Sequence, residues 1–139
     1  EVRVGSHGLN KKFIATIEPI HGQSVVMYLP DQNANRIVLD DAINEGHALA
    51  TADFLGVGTD QLVAGWRGQG RDGKTGIKLY APKNKNATEW ESHWIDEDGM
   101  ACEDIQVMDL NNDGRPDIVA SGRSSHNLKI YWNRNGTSK

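Results

Sequence analysis

The sequence predicts an all-β chain of β-propeller blades, about three per chain, each a four-stranded antiparallel sheet. Three observations carry that prediction: a near-repeat 56 residues apart, short Val-, Ile- and Tyr-rich runs bounded by Gly, Asn and Asp, and the absence of any sustained 3.6-residue apolar period. Shifting the chain lays 37–67 on 93–123 without a gap. Asp40 then meets Asp96, Asp53 meets Asp109, Gly58 meets Gly114, Val63 meets Val119, Ala64 meets Ala120 and Arg67 meets Arg123. Leu49/Ile105, Phe54/Leu110 and Leu62/Ile118 keep apolar character between them. A four-stranded unit recurring at this period is a propeller blade. The competing reading is one β-sandwich with coincidental internal similarity.

The elements follow in order. A short strand at 2–4, then strands at 12–19, 24–30 and 36–39, make a first blade over about 1–39. Strands at 47–54, 61–66, 77–81 and 92–95 make a second over about 47–95. Strands at 103–110, 117–122 and 128–132 make a third over about 103–133, without its fourth strand. KFIATIEP (12–19) is aligned with QLVAGWRG (61–68) and DIVASGRS (117–124) as a looser third copy. Propellers typically close with about four to eight blades. The expected partners are therefore other copies of the chain or a missing propeller segment, and a symmetric dimer would reach six blades.

Composition narrows the function classes. Lys and Arg number 15 against 19 Asp and Glu, a net charge of −4, which argues against nucleic-acid and anionic-membrane partners. One cysteine, Cys102, excludes an intrachain disulfide framework and a multi-cysteine zinc cluster, and reads as an ordinary buried thiol. No run approaches the roughly 20 apolar residues of a membrane span.

The turn Asp109-Leu110-Asn111-Asn112-Asp113-Gly114-Arg115-Pro116-Asp117 places oxygen side chains at positions 1, 3, 5 and 9 and glycine at position 6. Calcium takes about six to eight hard oxygen ligands, and alternate residues of a tight loop supply them. The expected ligands are Asp109, Asn111, Asp113, the carbonyl of Arg115, and Asp117. Pro116 and the strand-like residues after it forbid an EF-hand's exiting helix, and Ala120 stands where that loop would need its closing Glu. The alternative is a metal-free Asx turn. The equivalent turn, Asp53 to Gln61, carries Leu55 and Val57 where Asn111 and Asp113 stand, so no calcium is expected there.

With the motif Asp-x-Asn-x-Asp-Gly-x-x-Asp-Ile-Val (109–119), the chain resembles the FG-GAP/VCBS repeat propellers, the class that includes the integrin α-subunit head. IEPIHG (17–22), EGHALATADF (45–54), AGWRG (64–68), GMACED (99–104) and SGRSSHNLKIYWN (121–133) resemble the C-terminal blades of bacterial VCBS-repeat proteins, which are related to the propeller domain of fungal aldos-2-ulose dehydratases. The resemblance and the calcium loop together favour an extracellular or periplasmic location.

Propeller geometry puts the calcium turn on one face and the remaining polar residues on the other. His47 and Glu103 hold equivalent places there, as do Arg67 and Arg123, with Glu18, His21, Trp66, Asp104 and His126 on the same rim. Such a mixture hydrogen-bonds and stacks on a sugar or similar polar ligand. The alternatives are inter-blade ion pairs for the arginines with Glu103, and inter-blade packing for Trp66. Two functions follow. One is a calcium-stabilised binding or assembly module with a carbohydrate- or polar-ligand face. The other is a lyase, a dehydratase of a keto-sugar such as an anhydrofructose, in which His21, His47 or His126 abstracts a proton and Arg67 or Arg123 steadies the enolate. A second divalent metal held by the histidines and Glu103 is a variant of the latter.

Overall fold

Short strands rich in branched side chains pair most readily with their sequence neighbours, because a tight turn costs little closure entropy. The computed structural model, which describes residues 1–8 and 10–134, is built this way throughout. β1 (Val2–His7), β2 (Lys11–Glu18), β3 (Ser24–Leu29) and β4 (Asn35–Asp40) form the first antiparallel sheet, with one 3-10 turn at Pro30–Gln32. β5 (Asn44–Ala52), β6 (Gln61–Gly68), β7 (Gly76–Pro82) and β8 (Trp90–Glu97) form the second. β9 (Cys102–Met108), β10 (Asp117–Gly122) and β11 (Asn127–Tyr131) form the third, three-stranded among the described residues. The chain is all-β, with three up-and-down sheets of the kind that make partial propeller blades.

Alternation along each strand gives every sheet two faces, and the apolar ones meet in two layers. Phe13, Ala15, Ile17, Val25, Met27 and Leu29 of the first sheet pack with Leu49, Leu62, Ala64 and Trp66 of the second. The second sheet's other face (Ala48, Ala50, Val63, Ile77) packs with Ile105, Ile118 and Ala120 of the third. Approach is closest at Gly65, where a Cβ would collide with the sulfur of Cys102. Burial, with Asp104 nearby, pushes that thiol up to about 12, so it is an inert packing group.

Both junctions carry the same polar staple. Asp40 of β4 accepts from Lys78 Nζ (3.0 Å) and the Tyr80 hydroxyl (2.9 Å) of β7. Asp96 of β8 accepts from Lys129 Nζ (2.6 Å) and the Tyr131 hydroxyl (2.5 Å) of β11. Burial pushes each carboxyl up, but the hydrogen bonds and the ammonium outweigh it and hold both below the ordinary carboxylate range.

The strand pairings correct one sequence alignment. Leu62 pairs with Tyr80, and the residue that pairs with the equivalent Tyr28 is Ile14, not Phe13. The copy at 12–19 is therefore out by one residue. In a strand that slip reverses every side chain. Glu18, aligned with Arg67 from sequence, takes the place of Trp66 instead and lies on the first sheet's outward face.

Candidate functional site

Two β-bulges build the polar end of the stack. In β5 the register jumps between Gly46 and Ala48, opposite Trp66 and Gly65, leaving His47 unpaired. In β9 it jumps between Cys102 and Asp104, opposite Gly122 and Ser121, leaving Glu103 unpaired. These are the same position of the repeat, 56 residues apart. A bulge re-aims its extra residue. Here the two extra residues face each other, with His47 Nδ1 3.7 Å from Glu103 Oε1.

Around them the sequence-expected rim residues divide. Arg67 Nη1 donates to Glu103 Oε2 (2.9 Å) and Arg67 Nε to Glu45 Oε2 (2.9 Å). The inter-sheet ion pair is thus real. Burial raises Glu103, but the Arg67 hydrogen bond and the charges of His47, Arg67 and Arg123 outweigh it and hold the carboxyl below its usual value. His21, in the left-handed region at φ 51°, lays its ring on that of His47, with centroids 4.6 Å apart and planes 28° from parallel. Arg123 approaches Glu103 only at 3.8 Å, and its side chain is 69% exposed. Arg123, His126 and Ser124 line an open depression of about 400 Å³ with Glu45 and Arg67.

Three expected members stand outside it. Glu18 accepts from the Tyr28 hydroxyl (2.6 Å), Thr16 Oγ1 (2.7 Å) and Arg36 (2.9 Å), a network within the first sheet that follows from the one-residue slip. Trp66 is 1% exposed, donates Nε1–H to the Lys74 carbonyl and packs on Trp94, so no ring face is left for a sugar. The packing reading of that residue is the correct one. Asp104 accepts from the Ile105 amide (2.8 Å) and takes no part in the ion pairs. Glu45 and Ser124 were missed from sequence. Both flank residues that the repeat marks, Glu45 two places before His47 and Ser124 directly after Arg123, but neither aligns with a like residue.

At the opposite ends of the strands lie the two Asp-to-Asp or Asp-to-Gln turns. Asp109 accepts from the amides of Asp113 (3.1 Å) and Gly114 (2.8 Å). Asp53 accepts from those of Val57 (2.9 Å) and Gly58 (2.7 Å) in the same way. Gly114 at φ 82° and Gly58 at φ 75° occupy the left-handed region that the turn requires. Asp117, wholly buried, accepts from the Leu110 amide (3.1 Å) and the Asn133 amide (2.8 Å). Asp113 pairs with the Arg115 guanidinium (2.6 Å) and accepts from the Asn111 side-chain Nδ2 (2.9 Å). The donor set is chemically suited to calcium, with three carboxylates and an amide oxygen. Among the described residues, however, no three His, Cys, Asp or Glu side chains converge as metal ligands. Asp113 would have to turn from Arg115 to join Asp109. The rim histidines and Glu103 do not converge as metal ligands either.

The comparisons with known proteins agree with the repeat. A stretch of 76 residues, 53% of the chain, is 40% identical to integrin alpha pat-2 of Caenorhabditis briggsae. It corresponds to 6% of that protein, so the chain spans a small part of the relative it matches. No solved structure matches significantly. Residues 109–139, which begin at the first aspartate of the oxygen-rich turn, match the family model of the FG-GAP-like repeat.

Proposed function

We propose that the chain is a β-propeller binding and assembly module, steadied by calcium at the turn 109–117 and offering a polar ligand site at the bulged end of its strands. One observation supports this above the others. Equivalent bulges turn His47 and Glu103 toward each other beside an open depression of about 400 Å³, a size that suits small polar ligands. In that depression Arg67 is engaged by Glu45 and Glu103, whereas Arg123, 69% exposed and reaching Glu103 only at 3.8 Å, can turn its planar fork to a ligand oxygen pair. Ser124, His126 and Glu45 supply donors and an acceptor for hydroxyls. A carbohydrate is the ligand class that fits this mixture. Extracellular or periplasmic location and assembly with further blades, from other copies or from a longer polypeptide, complete the reading.

Calcium would draw on Asp109, Asn111, Asp113, Asp117 and the Arg115 carbonyl. Binding it would neutralise carboxylates that the turn brings together. The dehydratase alternative rests on the family resemblance alone, and Arg67, one of its two enolate stabilisers, is already committed.

A glycan array probed with the purified chain, in calcium and in chelator, tests the reading. Binding to a sugar that Arg123→Ala reduces at least about tenfold is the expected result. Binding to no sugar, or binding indifferent to that substitution, would defeat it. Absorbance from an enone on incubation with 1,5-anhydrofructose would instead revive the lyase.

A further inference from the structure

The turn 53–61 closes like its counterpart, yet Leu55 is 39% and Val57 64% exposed. Asn111 and Asp113 hold those two places in the other repeat. A turn that merely gave up a metal would be expected to keep polar residues in water. Leu55 joins two depressions. One, of about 180 Å³, is walled by Leu79, Ile95, Ile118, Tyr131 and Trp132, the last 44% exposed. The other, of about 360 Å³, is walled by Val57, Pro82, Lys83 and Lys85. Both lysines are exposed, and among the described residues neither has a carboxylate partner. The result is a trough that is apolar in the slot beside Trp132 and, beyond Leu55, bordered by Thr59, Gln61, Asn84 and the two lysines. Exposed apolar surface with a polar border marks interaction sites.

We propose that this trough docks an extended segment of another protein in which a bulky apolar side chain is flanked by carboxylates. The apolar side chain would enter the slot beside Trp132, and the carboxylates would meet Lys83 and Lys85. Charge complementarity selects this occupant: a purely apolar segment would leave both ammonium groups unmatched, and a basic one would be repelled. The site is at the opposite end of the strands from Arg123 and stands independently of the ligand reading above.

The test is a random-peptide display selection against the whole chain, followed by affinity measurement of the enriched peptides by isothermal titration calorimetry. Enrichment of Leu, Phe or Trp beside Asp or Glu is expected. Val57→Asp and the pair Lys83→Glu with Lys85→Glu should each weaken binding at least about tenfold. Both changes are at exposed positions, and an unchanged near-ultraviolet circular dichroism spectrum confirms the fold. No enrichment over the unselected library, enriched peptides without acidic residues, or affinity untouched by the variants would overturn the proposal. So would concentration-dependent self-association that Val57→Asp abolishes, because the occupant would then be a second copy.

Discussion

Residues 40–80 and 96–131 make the same junction twice and finish it differently. At one end both keep a carboxylate gripped by a lysine and a tyrosine. At the other, both close a turn on an aspartate that accepts two backbone amides. They part at most other turn positions, among them the third, fifth and ninth, where Leu55, Val57 and Gln61 stand against Asn111, Asp113 and Asp117. Turn closure therefore does not need the ligand residues at the third and fifth positions. Both turns share a first-position aspartate, a sixth-position glycine and a ninth-position side chain that accepts a turn amide. The third and fifth positions are free to acquire another use.

The strongest challenge to this parallel is removal of the staples. Asp40→Asn leaves the Lys78 ammonium, 14% exposed, without its counter-charge, and should cost about 3–5 kcal/mol in urea unfolding. Asp96→Asn should cost less, since Lys129 is 36% exposed and can turn to water. Equal losses would mean that burial of the cation does not set the cost.

Acid offers a second approach to the same pair. Both carboxyls are held below their unfolded values, so their contribution is complete above the unfolded pKa, near 4, and is lost as pH falls through the lower folded values. The wild-type chain should lose stability steeply below about pH 4, and Asp40→Asn should flatten that limb. A variant with an unchanged acid slope would remove Asp40 from the account.

Calcium should separate the two turns. With metal at about a hundred times its dissociation constant, the wild type should gain about 2.7 kcal/mol, and Asp113→Ala should gain nothing. Transplanting the ligands by Leu55→Asn with Val57→Asp should create a second, weaker calcium response. A melting temperature indifferent to chelator would refute the metal reading while leaving the turn geometry intact.

The smallest expected effect is also the most discriminating. In chelator, Asp53→Ala and Asp109→Ala should each cost about 0.5–1.5 kcal/mol by removing two exposed hydrogen bonds, and the costs should match. If the Asp109 variant is markedly worse without metal, its turn depends on more than hydrogen bonds.

Much of this was legible in the residues. The period of 56, the paired apolar runs and the Gly turns located the strands because each is a local signal. The ion pair of Arg67 with Glu103 was visible as an alternative for the same reason. The first sheet was harder. Only the partner strand determines which way Phe13 and Ile14 point, and the looser copy offered a single identity, Ala15 with Ala64 and Ala120, which set the wrong register. Glu18 was misplaced by that single step. The bulges at His47 and Glu103 were hidden because an extra residue appears only when two strands are laid side by side. The staples lay half in view: Asp40 and Asp96 aligned, and so did KLY and KIY, but nothing in the string connected the two.

The Glu18 network has one more consequence. Where the second and third sheets present Lys78 and Lys129 to a neighbour's acid, the first sheet has the buried Val26, and its Tyr28 hydroxyl is already claimed from within by Glu18. Any body that comes to rest there must be recognised by another lock, one keyed to the Arg36 guanidinium rather than to an ammonium.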